Sequence, residues 1–191
     1  MVCMEKKNNQ KIHNRKGFTL AETLLAVLIL LMVSQIVATG IPVAKNAYEK
    51  VVLTSNAEVL LSTAVTALRN ELGTAREIDI PDSQTITYLN STRGSMSKIG
   101  METDPADSVQ TIMLHRYAAV NGIGTDSGAE RLISKEAATA DLYVTFAAVT
   151  SAPLSSDPDS TVVTFTDVSV RRKSGSELTR RDKLSINVLA H

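Results

Sequence analysis

From Thr23 to Ala44 the chain reads TLLAVLILLMVSQIVATGIPVA, 22 consecutive residues without a charge. As an α-helix this stretch extends roughly 33 Å, enough to cross a hydrocarbon layer of about 30 Å. Twelve of the residues are Leu, Ile or Val. At about −0.3 to −0.6 kcal/mol each they contribute roughly −4 to −7 kcal/mol toward membrane insertion. Thr23, Ser34, Gln35 and Thr39 do not cancel that sum. Core helices of soluble proteins are seldom apolar on every face over such a length. The segment is therefore expected to span a membrane.

The charge in front of it fixes an expected orientation. Residues 1–17 carry Lys6, Lys7, Lys11, Arg15 and Lys16 against the single acid Glu5, a local net charge of +4. Basic flanks stay on the cytoplasmic side, so the N-terminus is expected inside and residues from Lys45 onward outside. Over the whole chain 20 bases balance 20 acids, so bulk charge argues against a strongly basic nucleic-acid binder. An ordinary secretory signal is a poor fit, because its apolar core is shorter and a small-x-small cleavage site follows it. The one cysteine, Cys3, precedes the apolar core, which does not suit a lipoprotein, and no internal disulfide can form.

Glu22 is the one charge between Phe18 and Ala44. A carboxylate in the middle of a membrane helix costs about 2.5–3.5 kcal/mol, and less near the interface. Such charges are usually paired. Cleavage after Gly17 would remove the basic leader and leave Phe18 as a free α-amine four residues before Glu22. The amine and the carboxylate could then pair, within one chain or between neighbours.

Lys16-Gly17-Phe18-Thr19-Leu20-Ala21-Glu22-Thr23-Leu24-Leu25 closely resembles the N-terminal signal of type IV prepilins and type II secretion pseudopilins. The resemblance covers residues 1–44. It implies a prepilin peptidase that cuts after Gly17 and methylates the amine of Phe18. It implies that Glu22 contacts the N-terminal amine of an adjacent subunit, in a filament cored by the apolar helices. It also implies partnership with other pilin-like subunits and with a pilus or secretion assembly platform, after residence in membrane lipid. Pilins commonly carry a proline near the outer end of the apolar stretch, as at Pro42. A proline removes one backbone hydrogen bond and bends or locally melts a helix.

The chain divides, on this reading, into a leader (1–17), a transmembrane half-helix (18–44), an outer half-helix (45–73) and a β-rich head (74–191). An apolar stripe at Tyr48, Val51, Val52, Val59, Leu61, Val65, Leu68 and Leu72 continues the helix, with Gly73 as its C-cap; a break at Gly40 or Pro42 is the alternative. Strands are expected at Gln84–Leu89, Val109–Val120, Asp141–Thr150, Thr161–Arg171 and Leu184–Leu189, with a hairpin turn at Lys173–Ser176. Loops are expected at Ser91–Asp107, Asn121–Lys135 and Ser151–Ser160. The fold class is α+β: a long apolar helix packed on a small antiparallel sheet, the plan of pilin heads.

Chemistry-bearing patterns in the head are sparse. Gly124-Thr125-Asp126-Ser127-Gly128 is explained by loop composition, and Asn121-Gly122-Ile123-Gly124 lacks a dinucleotide-loop context. His115 has no second His near it, and Asp157-Pro158-Asp159 is a thin basis for calcium. Asn90-Ser91-Thr92 matches a glycosylation acceptor without further support. No cofactor, metal site or enzymatic activity is expected. Arg171, Arg172, Lys173, Arg180, Arg181 and Lys183 cluster at the hairpin, interspersed with Glu177 and Asp182. This is a solvated hairpin end or an electrostatic contact for acidic neighbours or polyanions; DNA is a candidate because some type IV pili bind it. With only 4% aromatic residues and no Trp, a base-stacking platform has little to build on. A head without cysteine departs from many Gram-negative pilins and fits a minor pilin, a pseudopilin or a Gram-positive system. The alternative from another class is an uncleaved single-pass membrane protein with an extracellular binding domain.

Overall fold

A computed structural model describes residues 19–120, 123–135, 141–154 and 157–188, as one helix and nine strands. The fold is α+β. Helix α1 runs unbroken from Leu20 to Leu72, about 80 Å at 1.5 Å per residue. Gly40 and Pro42 lie inside it, so the break considered from sequence does not occur. Pro42 lacks an N–H, which leaves the carbonyl of Ala38 without its helical partner. The flanking helix-forming residues hold the axis through that gap. Two compact units divide the chain, Met1–Tyr48 and Glu49–His191.

Within the second unit, α1 supplies one wall of the core through Ala57, Leu60, Ala64, Val65, Leu68 and Leu72. Their three- and four-residue steps give a single buried stripe. The stripe differs from the expected one. Tyr48, Val51 and Val59 are exposed, while Ala57 and Ala64 are fully buried. Small side chains let the sheets approach the helix, and a search for large apolar residues passes over them. Gly73 ends the helix by close approach. Its N–H reaches the Arg69 carbonyl at 2.8 Å, and a Cβ there would meet that same oxygen at 2.8 Å.

Two antiparallel sheets supply the rest. Sheet A is a meander in chain order: β1 (Ala75–Asp82), β2 (Thr85–Asn90), β3 (Ser95–Thr103), β4 (Gln110–Val120) and β5 (Ile123–Arg131). Sheet B is built around the 16-residue β8 (Asp157–Arg172). On one side β8 pairs with β6 (Leu142–Thr145) and β7 (Ala148–Leu154); on the other it pairs with β9 (Glu177–Val188). Ile86, Tyr88, Ile99, Ile112 and Leu114 from sheet A join Val163, Phe165, Val168, Val170, Leu184 and Ile186 from sheet B and the helix stripe in one cluster. Phe146 meets Phe165 edge to face, with centroids 5.1 Å apart.

Several sequence expectations need correction. The segment 91–107, read as a loop, contains β3, and β5 occupies much of 121–135. β1 had no counterpart. The single strand expected over Asp141–Thr150 is β6 and β7, separated by Phe146 and Ala147. The segment 151–160 contributes to β7 and β8 instead of forming only a turn. The turn at Lys173–Ser176 is where it was expected, closed by Arg172 N–H to Ser176 O at 2.9 Å and Gly175 N–H to Arg172 O at 2.7 Å. Gly175 has φ 88°, a conformation that favours glycine.

Candidate functional site

Every described residue of the first unit is exposed. Leu20, Ile36, Ile41 and Val43 are each more than 60% exposed, and an 18-residue window of α1 long and apolar enough to cross a membrane has no buried residue. Single exposed apolar residues are ordinary, but a continuous apolar helix surface requires lipid or a protein partner around it.

Glu22 lies in the first turn of this helix. The Thr19 N–H donates to Glu22 Oε2 at 2.9 Å, and the Glu22 N–H donates to Thr19 Oγ1 at 3.3 Å. The Thr19 hydroxyl also donates to Glu22 Oε2, at 3.2 Å. This is a reciprocal capping box, with Thr19 as N-cap and Glu22 three residues on. It satisfies two backbone donors that the helix cannot use, and it sets a carboxylate at the positive end of the helix dipole. Residues 1–18 lie outside the described residues. They include Gly17, Phe18 and the leader bases Lys6, Lys7, Lys11, Arg15 and Lys16.

The hairpin cluster is resolved into two kinds of cation. Arg171 pairs with Glu177 at 3.3 Å. Arg180 reaches Asp182 at 2.8 Å and Asp167 at 3.5 Å, and the Asp182 hydrogen bond pushes its guanidinium pKa further up. Arg172, Lys173, Arg181 and Lys183 are exposed and form no ion pair among the described residues.

Three further charge clusters escaped sequence reasoning. Glu71, in the last turn of α1, accepts from Tyr88 Oη at 3.2 Å and Asn90 Nδ2 at 3.4 Å, and pairs with Arg116 at 3.2 Å. Burial, with Glu71 beside it, pushes the Tyr88 phenol up. In the second cluster Arg131 bonds Asp104 and, at 2.6 Å, Asp107; each of the three side chains is little exposed. The Ala106 N–H and Arg131 hold the Asp104 carboxyl below its usual range. Burial alone would raise Asp107, but Arg131 and the Val109 N–H outweigh it. The third cluster joins His115 Nε2 to Glu102 Oε2 at 2.8 Å and Lys98 Nζ to Glu102 Oε1 at 2.6 Å. Burial opposes the charge on Glu102, yet these two partners hold its carboxyl down. The spacing Thr19-x-x-Glu22 was a readable signal. The others had none, because their partners meet only through sheet pairing or helix docking.

The remaining candidates reduce to local structure. Asn90 is 3% exposed; its Oδ1 accepts from the N–H groups of Thr92 and Arg93, and its Nδ2 donates to Glu71. An amide so placed does not present itself to a glycan-transferring enzyme. The backbones of 123–128 and 157–159 belong to β5 and β8, whereas the side chains of 123–127 and 157–159, and residues 121–122 altogether, lie outside the described residues. Among the described residues no group of three His, Cys, Asp or Glu side chains is arranged to hold a metal. Comparison with family models, curated proteins and solved structures found no match.

Proposed function

We propose that this chain is a structural subunit of a type IV pilus-like filament, a minor pilin or a pseudopilin, and not an enzyme. One observation carries the reading: the N-terminal stretch of α1, from Leu20 to Ala44, is apolar and exposed throughout, and its lone acid, Glu22, sits in the first turn. The residues around it resemble the prepilin signal. On this reading the precursor lies in the cytoplasmic membrane, N-terminus inside and head outside. A prepilin peptidase cuts after Gly17 and methylates Phe18. Glu22 then exchanges its contact with Thr19 for the amine of a neighbouring subunit, and α1 moves from lipid into a bundle of like helices on the assembly platform. Charge neutralisation in an apolar surround favours one register over others, because an unpaired carboxylate there is costly.

The test is the N-terminus of the protein in native membranes, read by intact mass and terminal-peptide sequencing. The expected chain begins at N-methylated Phe18. A chain that retains residues 1–17 in cells with active prepilin peptidase overturns the reading and leaves a single-pass membrane protein with an outer binding domain.

A further inference from the structure

Among the described residues, most exposed charges of the head that lack an ion-pair partner fall on two sheet edges, acids on one and bases on the other. β1 is the edge strand of sheet A and presents Glu77, Asp79 and Asp82, all exposed, with Arg76 the one cation among them. None of the three carboxylates is in an ion pair among the described residues. β9 is the outer edge of sheet B. Its Arg181 and Lys183, with Arg172 and Lys173 at the turn and Arg69 on α1, likewise have no carboxylate partner among the described residues. Arg69 and Arg181 face each other across a cleft of about 310 Å³ that also holds the Ser62 and Thr66 hydroxyls and one acid, Glu58. Among the described residues most other charged side chains of the head are paired internally, so much of the unpartnered surplus lies in these two rims.

Neither edge suits strand-on-strand pairing. β1 has two register shifts, Glu77 at φ 48° and Pro81. β9 carries four consecutive exposed charged residues, Arg180–Lys183. Both devices blunt a sheet edge. What they leave is attraction between side chains of opposite sign. The two rims are different surfaces, so a contact between them on two copies is heterologous and repeats without closing unless the rotation happens to close a ring.

We propose that copies of this chain meet head to tail, with the acidic β1 rim of one copy seated against the basic β9 rim and turn of the next. The contact deepens the filament reading and rests on the form of it in which copies of this chain are neighbours, a repeating pseudopilin, and not on a sparse minor pilin. The carboxylates of Glu77 and Asp79 approach the cleft between Arg69 and Arg181, while Asp82 lies toward the turn lysine. Rim charges of this kind set register and capture rate more than they set affinity, and salt screens them over about 10 Å.

The experiment uses the full chain in membranes, from a mixture of cells labelled with light and heavy isotopes. A carbodiimide couples carboxylate directly to amine, and mixed-label peptides report contacts between copies. The expected products join Glu77, Asp79 or Asp82 of one copy to Lys173 or Lys183 of another, and fall by about tenfold at high salt. Arg181→Glu with Lys183→Glu abolishes the remaining coupling through Lys173, and Glu77→Lys with Asp79→Lys abolishes the remaining coupling through Asp82. Combining the four substitutions restores it. Unchanged far-UV circular dichroism checks that the variants fold. Mixed-label products that are absent, that map elsewhere or that survive either reversal overturn the proposal. So does an Arg181→Glu/Lys183→Glu variant that keeps its inter-copy coupling but loses retention on immobilised DNA, which would make the rim a polyanion site. The N-terminal mass of the same samples separates the two readings. Cleaved chains without the coupling sink only the head contact, and coupled chains that retain the leader sink only the filament reading.

Discussion

At the scale of single residues, Glu22 has two separable properties, an acceptor oxygen and a charge. Gln at the same position of a capping box keeps the acceptor. Glu22→Gln is therefore expected to preserve the helix start, while Glu22→Ala costs about 0.3–1 kcal/mol there and speeds hydrogen exchange in the first turn. If assembly fails in both, charge is the cause; if it fails only in Glu22→Ala, the cap is. Arg131 is the corresponding point in the head. Removing it strands Asp104 and Asp107 in a little-exposed place. Arg131→Met is expected to lower the unfolding free energy by about 3 kcal/mol in chemical denaturation. Thr19 and Glu22 were readable from spacing alone. Arg131 was not, since its partners lie 27 and 24 residues away and meet it only after β4 has paired with β3 and β5.

At the scale of elements, α1 has two different surfaces. Its outer half buries Leu60 and Leu68 while Val59 stays open. Leu68→Ala is expected to cost about 2–5 kcal/mol, whereas Val59→Ala stays within about 0.5 kcal/mol in the isolated chain, as urea titration in micelles would show. Gly73→Ala forces a Cβ onto the Arg69 carbonyl and is expected to cost about 1 kcal/mol or more. The helix was legible because its periodicity and its apolar run both exceed anything a strand needs. β8 was legible from Val162, Val163, Thr164, Phe165 and Val168, which are β-branched or aromatic. β1, β3 and β5 read AREIDIPD, SMSKIGMET and IGTDSGAER. Their polar and small residues suit turns on intrinsic preference, and only pairing with better strands makes them sheet. Tertiary context overrode propensity at these three places.

At the scale of the whole molecule, the head holds together without covalent clamps. Cys3 is the only cysteine, so reductant is expected to leave the melting temperature of the head unchanged. Acid should act instead. The carboxyls of Glu102, Asp104 and Asp107 are depressed in the folded state, from ordinary values of 4.5, 3.8 and 3.8. Their contribution is complete above those values and is lost as pH falls through the lower folded ones. Melting temperature is thus expected to fall below about pH 4, and Arg131→Met should flatten part of that dependence. One feature of the topology also dictates timing. The helix stripe at Ala57–Leu72 shares its core with Val163–Val170 of β8, about a hundred residues downstream. At about 5–20 residues per second of synthesis, that stripe waits on the order of 5–20 s for its cover. Contacts so distant in sequence also close slowly once both partners exist. Each nascent chain therefore passes through an interval in which its apolar helix is complete and its head is not. A holdase would find its substrate in that interval.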